Sequence, residues 1–226
     1  MLPDLREPPR GLYALTPDCS SGPAFGALVG RVEAAIRGGA RLVQYRNKAA
    51  GAGVREAQAR ALLEACLRLR CPLVINDDVE LALRIGAQGV HLGREDGEIA
   101  AARCALGPHA IVGASCYDRI DLALAAERAG ASYVAFGAFF PSPTKPAAVR
   151  AGVQLLREAR ARLALPIAAI GGIRADNAAR LLREGADWLA VSSDLFGAPD
   201  VCSRAREYRV LFETVAQPTG VDHESQ

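Results

Sequence analysis

Four glycine–alanine pairs each open a short apolar stretch: G-A-R-L-V-Q-Y from Gly39, G-A-Q-G-V-H-L from Gly86, G-A-S-Y-V-A-F from Gly130 and G-A-D-W-L-A-V from Gly185. Each glycine stands where a helical pattern stops, a place where a left-handed cap is easiest without a Cβ, and the apolar stretch after it has the length of a buried strand. Four more apolar segments lie between them: L-Y-A-L-T from Leu12, P-L-V-I-N from Pro72, A-I-V-G-A from Ala110 and P-I-A-A-I from Pro166. Amphipathic segments such as Arg55 to Arg70, Asp118 to Ala129, Val153 to Leu163 and Asp176 to Glu184 carry helical spacing and separate the strands. Strict alternation implies parallel strands joined by right-handed crossovers. Eight such units in 226 residues predict an α/β fold, a (β/α)8 TIM barrel in a single domain, which typically takes ~250 residues. An open doubly wound sheet is the competing arrangement. Its nucleotide-binding versions lose their signature here, because no G-x-G-x-x-G follows the first strand and no G-x-x-x-x-G-K-[ST] occurs. The barrel is expected over residues 11–216, with a leader at 1–10 and a polar tail at 217–226.

Composition narrows the class further. Basic and acidic residues number 27 and 25 and are interspersed, without the basic, aromatic-studded stripe that tracks a nucleic-acid backbone, so nucleic acid is not an expected partner. No apolar run approaches the ~20 residues of a membrane helix, and the charged, proline-rich first ten residues cannot be the core of a signal peptide. A cytoplasmic, membrane-free location is expected. The six cysteines (Cys19, Cys66, Cys71, Cys104, Cys116, Cys202) form no C-x-x-C pair and read as reduced thiols, mostly in the core.

The cations are unevenly divided: 25 arginines against two lysines, Lys48 and Lys145. A bare positive charge is supplied by either side chain, whereas a compact ammonium differs from a planar fork at a site built around it. The two lysines are therefore candidates for function, and an arginine on an outer helix, such as Arg160, is expected to tolerate lysine.

Active sites of such barrels lie at the C-terminal ends of the strands. There the sequence places Thr16, then Gln44, Arg46 and Lys48, then Asn76 and Asp77, His91 and Asp96, Ser115, Thr144 and Lys145, Gly171 and Gly172, and Ser192. Period-two alternation puts Gln44 with Arg46, Val74 with Asn76, Gly113 with Ser115, Ala169 with Gly171 and Ala190 with Ser192 on common faces. Pointing inward, those faces would leave a mouth of small and polar groups. Asp77 and Asp96 follow adjacent strands, and Mg²⁺ is commonly held by one or two carboxylates plus substrate phosphates, for which Arg46, Lys48 and Lys145 would supply cations. The competing role for Asp77 or Asp78, and for Asp96, is capping of the next helix. Gly171 and Gly172 could bring backbone amides to a phosphate or simply make a tight turn. His91 has no evident partner and reads as a packed strand residue. The longest connection, Ala138 to Gly152, is a candidate lid. Phe139 and Phe140 on it could cover a flat ligand or staple the loop to the core.

The motifs resemble those of the thiamine-phosphate synthase family: Q-Y-R-N-K at Gln44 to Lys48, N-D-D-V-E-L-A at Asn76 to Ala82, G-V-H-L-G-R-E-D at Gly89 to Asp96, G-A-S at Gly113 to Ser115, F-P-S-P-T-K at Phe140 to Lys145 and I-G-G-I at Ile170 to Ile173. They run in order from the second strand to the seventh, and V-S-S at Val191 extends the likeness. The resemblance implies condensation of hydroxymethylpyrimidine diphosphate with a thiazole phosphate, giving thiamine phosphate and diphosphate. It implies that Gln44, Arg46, Lys48, Asn76, Ser115 and Lys145 bind the pyrimidine diphosphate and that Asp77 and Asp96 hold Mg²⁺. Ser142 and Thr144 would contact the thiazole, and its phosphate would meet the amides near Gly171, Gly172, Val191 and Ser192. Lys48, Ser115 and Lys145 are the implied catalytic residues.

Three positions depart from the family pattern: Ser142 in place of threonine, Arg94 in place of glutamine, and Asn47 where an acid is frequent. None removes an implied ligand, although Arg94 adds a fixed charge beside the metal ligands. A thiazole tautomerase on the same barrel is the nearest rival, disfavoured because Arg46, Lys48, Asp77, Asp96 and Lys145 are all retained. A barrel that only binds a phosphorylated ligand is the rival outside enzymes.

Overall fold

A computed structural model describes residues 10–141 and 150–216. Eight parallel strands, β1 (Gly11–Leu15), β2 (Ala40–Tyr45), β3 (Leu73–Asn76), β4 (Gly89–Leu92), β5 (Ile111–Tyr117), β6 (Tyr133–Phe136), β7 (Ile167–Ile170) and β8 (Trp188–Val191), pair in sequence order, and β8 closes on β1. Helices fill the crossovers: α1 (Pro23–Gly38), α2 (Ala52–Arg68), α3 (Val79–Ile85), α4 (Ile99–Leu106), α5 (Ile120–Arg128), α6 (Gln154–Arg162) and α7 (Ala178–Arg183). After β8 come a one-turn helix, α8 (Ser193–Phe196), and the long α9 (Val201–Ala216), which packs on α1. This is the TIM barrel that the glycine–alanine repeats predict, and the four glycines that open them all have positive φ, from 72° at Gly86 to 120° at Gly39.

Alternation along the strands sorts side chains into two layers. Leu12, Ala14, Val43, Ile75, Val134 and Leu189 face the helices. Tyr13, Leu42, Val74, Ile111, Tyr133, Ala168, Trp188 and Ala190 fill the barrel interior. The β7 alternation differs by one residue from the sequence expectation: Ala168 and Ile170 point inward and Ala169 outward. Ala168 pairs with the inward Trp188, and neighbours in register share a face. I-A-A-I reads almost the same when shifted by one residue, so side-chain size could not choose between the faces.

The interior holds three large aromatic side chains at 1% exposure, Tyr13, Tyr133 and Trp188, and room for them comes from small neighbours. A Cβ on Gly113 would lie 2.2 Å from Cζ of Tyr133, and one on Gly89 would lie 1.8 Å from the carbonyl oxygen of Ile111. Cys66, Cys71 and Cys116 are buried, and burial pushes the thiols of Cys66 and Cys116 up to about 12, which keeps them protonated packing groups. Among the described residues no helix is long and apolar enough to cross a membrane.

Arg160 corrects the expectation of an interchangeable surface arginine. Its guanidinium donates to Asp187 Oδ2 at 2.7 Å and to the carbonyls of Leu163 at 2.9 Å and Leu165 at 2.7 Å, tying the end of α6 to the turn before β8. Three fixed acceptors suit a fork and not a single ammonium. Arg162, exposed on the same helix, is the better charge-only position.

Gly113→Ala is expected to cost about 1–3 kcal/mol by forcing the Tyr133 ring off its position. Denaturant unfolding with unchanged slope measures this, and an unaltered midpoint would contradict the packing argument.

Candidate active site

The β2 end is anchored from behind. Tyr45 Oη donates to Gln58 Oε1 at 2.8 Å, and Asn47 Nδ2 donates to the same oxygen at 2.9 Å and to the carbonyl of Cys19 at 2.6 Å. The odd residues thus hold the connection against α2, and period two leaves Gln44, Arg46 and Lys48 on the opposite side. Asn47 stands where an acid is frequent in the resembled family, and here it is a buried structural amide. Thr16 Oγ1 accepts from the Arg46 amide at 2.9 Å and donates to its carbonyl at 3.1 Å, stitching β1 to β2. Asp18 accepts from Arg46 Nη1 at 3.1 Å and from the Lys48 amide at 2.8 Å. Asp18 was not singled out in the sequence, because a single acid in a loop carries no spacing signal.

At the β3 end the two neighbouring aspartates divide the roles that the sequence left open. Asp78 is the N-cap of α3 and accepts from the Leu81 amide at 2.8 Å. Asp77 has φ +66°, donates its amide to the carbonyl of His91 at 2.9 Å, and turns its carboxylate to Lys48 Nζ at 2.9 Å. A non-glycine residue in the left-handed region is uncommon and directs a side chain that a strand or helix would aim elsewhere. After β4, Asp96 Oδ2 accepts from the Gly93 amide at 2.8 Å and caps no helix, since the N-cap of α4 is Glu98.

The two carboxyls interact. Burial opposes the charge of Asp77, but hydrogen bonds with Lys48 and Asp96 outweigh it and hold the carboxyl below its ordinary range. Asp96 is pushed up, first by burial and then by the hydrogen bond with Asp77, against the pull of the Gly93 amide. This pair, one acid favoured charged and its neighbour resisting charge beside it, is a place where a divalent cation relieves repulsion. Among the described residues no three His, Cys, Asp or Glu side chains converge, so the donor set fits Mg²⁺, which keeps waters and takes phosphate oxygens, and not a closed zinc cage. A small solvent-open pocket lies beside Asp77, lined by Asn47, Lys48, Arg55, Asn76, Asp77 and Asp78. Arg55, another cation outside the motifs, lines it too, with Nη2 3.6 Å from Asp78 Oδ2 and a buried Nε that has no hydrogen-bond partner.

His91 corrects the sequence reading that found it no partner: Nδ1 lies 2.8 Å from Tyr133 Oη and Nε2 lies 2.8 Å from Ser115 Oγ. No sequence spacing announces contacts across a barrel. Arg94 stacks its guanidinium 5.2 Å above the Tyr117 ring, beside the Asp96 turn. Gly171 and Gly172 have φ of 98° and 62°, and the connection after β6 presses on both: a Cβ at Gly171 would lie 2.4 Å from Ala138 Cβ, and one at Gly172 2.3 Å from the Pro141 carbonyl oxygen. Their glycine character is therefore required by backbone crowding in its own right. Val191 is buried in the outer layer, leaving only its backbone for the mouth, and Ser192 immediately precedes the short α8. An extra short helix after the eighth strand is where barrels often bind phosphate. Phe139 is buried and Phe140 packs against the core, so both act as staples. Ala151 donates to the Ala138 carbonyl at 2.9 Å and closes the base of that connection. Ser142, Thr144 and Lys145 lie outside the described residues.

The family model described as thiamine monophosphate synthase matches residues 12–195. The chain is 54% identical over 204 residues to the thiamine-phosphate synthase of Thioalkalivibrio sulfidiphilus, covering 90% of this chain and 96% of that protein. It is 52% identical over 212 residues to that of Aromatoleum aromaticum, covering 94% and 100%. Among solved structures, the thiamine phosphate pyrophosphorylase of Pyrococcus furiosus superposes with a TM-score of 0.81 at 34% identity, covering 94% of this chain and 100% of that one.

Asp96→Asn tests the carboxylate pair. A carboxyl whose folded pKa is raised contributes most to stability below its unfolded pKa of about 4, and that contribution fades as pH rises through the folded value. In metal-free buffer at pH 7 the variant is expected to melt at or above the wild type, since Asn still accepts from the Gly93 amide. The difference should shrink towards pH 4. A lower melting point at pH 7 would contradict the assignment of repulsion to this pair.

Proposed function

The chain belongs to the thiamine monophosphate synthase family, and from that premise we propose that it is a transferase condensing hydroxymethylpyrimidine diphosphate with thiazole phosphate to give thiamine phosphate and diphosphate. The observation that carries this reading is the array of opposite charges at one end of the barrel, Lys48 on Asp77 beside Asp96, with Arg46 on Asp18 at the neighbouring strand end. An anion with several charges fits there, because each cation has a carboxylate it can exchange for a phosphate oxygen.

In this reading the bond between the pyrimidine methylene and the diphosphate oxygen breaks, its electron pair leaves with the diphosphate, and the thiazole nitrogen attacks the ring-stabilised methylene cation. Asp77 and Asp96 would hold Mg²⁺, which when bound neutralises charge on the leaving diphosphate. Lys48 and Arg46 take up the rest of that charge, and preplaced donors of this kind contribute most where charge grows in the transition state. Asn76 and Gln44 orient the pyrimidine diphosphate, and Ser115 stands beside its ring. Lys145 from the β6–α6 connection completes the cation set, with Ser142 and Thr144 meeting the thiazole. The thiazole phosphate binds at the backbone of Gly171, Gly172, Val191 and Ser192. Closure of that connection would keep water from the cation.

The deciding experiment incubates the pure protein with both substrates and Mg²⁺ and measures thiamine phosphate and diphosphate in equal amounts. Isomerisation of a thiazole without the pyrimidine substrate would favour the tautomerase instead. Full turnover after exhaustive chelation would remove the metal from the scheme. Lys48→Arg keeps the charge and changes the shape, so single-turnover diphosphate release should fall by about a hundredfold, the size of one lost transition-state hydrogen bond. Arg162→Lys should be silent, and a wild-type rate in Lys48→Arg would end the argument from lysine scarcity.

A further inference from the structure

Inside the barrel five side chains from five strands form one hydrogen-bonded chain across the axis. Gln44 Nε2 donates to Tyr13 Oη at 2.5 Å, Tyr13 Oη lies 2.7 Å from Tyr133 Oη, Tyr133 Oη lies 2.8 Å from His91 Nδ1, and His91 Nε2 lies 2.8 Å from Ser115 Oγ. Tyr13, Tyr133, Gln44 and His91 are buried, while Ser115 at the end is partly exposed. The space for it is built: the Tyr133 hydroxyl would lie 2.3 Å from a Cβ on Gly113. Burial pushes both tyrosine hydroxyls far up, so each keeps its proton.

Counting those protons gives the chain a direction. Each hydroxyl has one proton to donate, and a neutral imidazole carries one on its two nitrogens. Tyr13 receives the Gln44 amide proton, and its own has one place to go, the Tyr133 oxygen. Tyr133 then donates to His91 Nδ1, His91 holds its proton on Nε2 and donates to Ser115, and the Ser115 proton is left for a ligand. At the other end Gln44, one of its two amide protons committed to Tyr13, is oriented so that Oε1 is its acceptor. If the amide were turned, every bond would reverse, with His91 protonated on Nδ1 and Ser115 donating inward. The two ends are therefore coupled, one accepting while the other donates.

We propose that Tyr13, Tyr133 and His91 are positioning residues whose ordered hydrogen-bond chain fixes Ser115 as a donor and Gln44 as an acceptor, so that the site selects a heteroaromatic ring presenting both a nitrogen acceptor and an exocyclic amino donor. This rests on the assignment of Gln44 and Ser115 to the pyrimidine substrate and adds the three buried residues behind them, Tyr13 and Tyr133 at 1% exposure and His91 at 6%. A buried donor or acceptor left unmatched by the ligand costs about 1–3 kcal/mol. The chain thus converts ring chemistry into affinity, through groups whose substitution leaves the binding surface itself intact.

The first test needs no activity. The chain has three histidines, so nitrogen-15 spectra of histidine-labelled protein, with His91→Asn to assign the signal, report the tautomer directly. A protonated Nε2 and bare Nδ1 on His91 are expected, with mixed tautomers in Tyr133→Phe; protonation on Nδ1 in the wild type would overturn the direction. The second test compares the pyrimidine diphosphate with analogues in which either ring nitrogen is replaced by CH. The wild type should discriminate against one of them by about tenfold or more in kcat/KM. Tyr133→Phe, checked for folding by thermal melting, should raise KM more than it lowers kcat and bring that ratio towards one. Equal discrimination in the two proteins would overturn the positioning role. Absence of any condensation by the wild type, with Nε2 protonated, would remove the substrate assignment and leave the proton order standing.

Discussion

Pairing of β8 with β1 is the contact on which the rest of the molecule depends. Eight parallel strands in sequence order bring all their C-terminal ends to one rim only when the ring closes. Residues as far apart as Lys48, Asp96 and Ser192 then belong to one surface, although nothing local draws them together. The closed interior is narrow, so it must be filled with matched sizes, and Gly89 and Gly113 give up side chains where backbone and the Tyr133 ring pass.

Charge at the rim follows one pattern. Arg46 rests on Asp18 and Lys48 on Asp77, both across loops that join different strands. These are partly exposed pairs of small worth to stability, and their weakness suits exchange of a carboxylate for a phosphate. Asp96, resisting charge beside Asp77, is the destabilised member. Outer-face arginines such as Arg60 and Arg84, both on Glu56, pair with acids in solvent, where shape matters little. Arg160 and Arg103 differ from these, because their partners are held in place: two carbonyls and a carboxylate for Arg160, and the carbonyls of Gly107, Ala110 and Gly130 with the Ser132 hydroxyl for Arg103.

The barrel interior is polar along one line and apolar around it. That line runs from Gln44 to Ser115, and hydrogen bonding offsets the cost of burying it, since Tyr13, Tyr133 and His91 each have a partner on both sides. It links the side chains assigned to substrate, through His91 of G-V-H-L-G-R-E-D, with Tyr13 and Tyr133, which carry no motif of their own. A barrel that binds a small heterocycle at its mouth can in this way use its core to set which atoms of the mouth donate and which accept.

The sequence by itself determined the number and order of strands, because glycine caps and strand-length apolar runs are local properties of the backbone and its periodicity. It also determined which residues stand at strand ends, and so the positions of Gln44, Arg46, Lys48, Asp77 and Asp96, since the end of a strand is read from where its apolar run stops. The tertiary structure alone decided what lies across the axis or around a loop. It separated Asp77 from Asp78, one turned by a left-handed backbone toward Lys48 and the other spent on a helix cap. It chose the inward face of β7, which I-A-A-I could not, through register with Trp188. It gave His91 two partners, Tyr133 forty-two residues away and Ser115 twenty-four. Such contacts depend on ring closure and on the sizes of many neighbours at once, and no spacing along the chain encodes them.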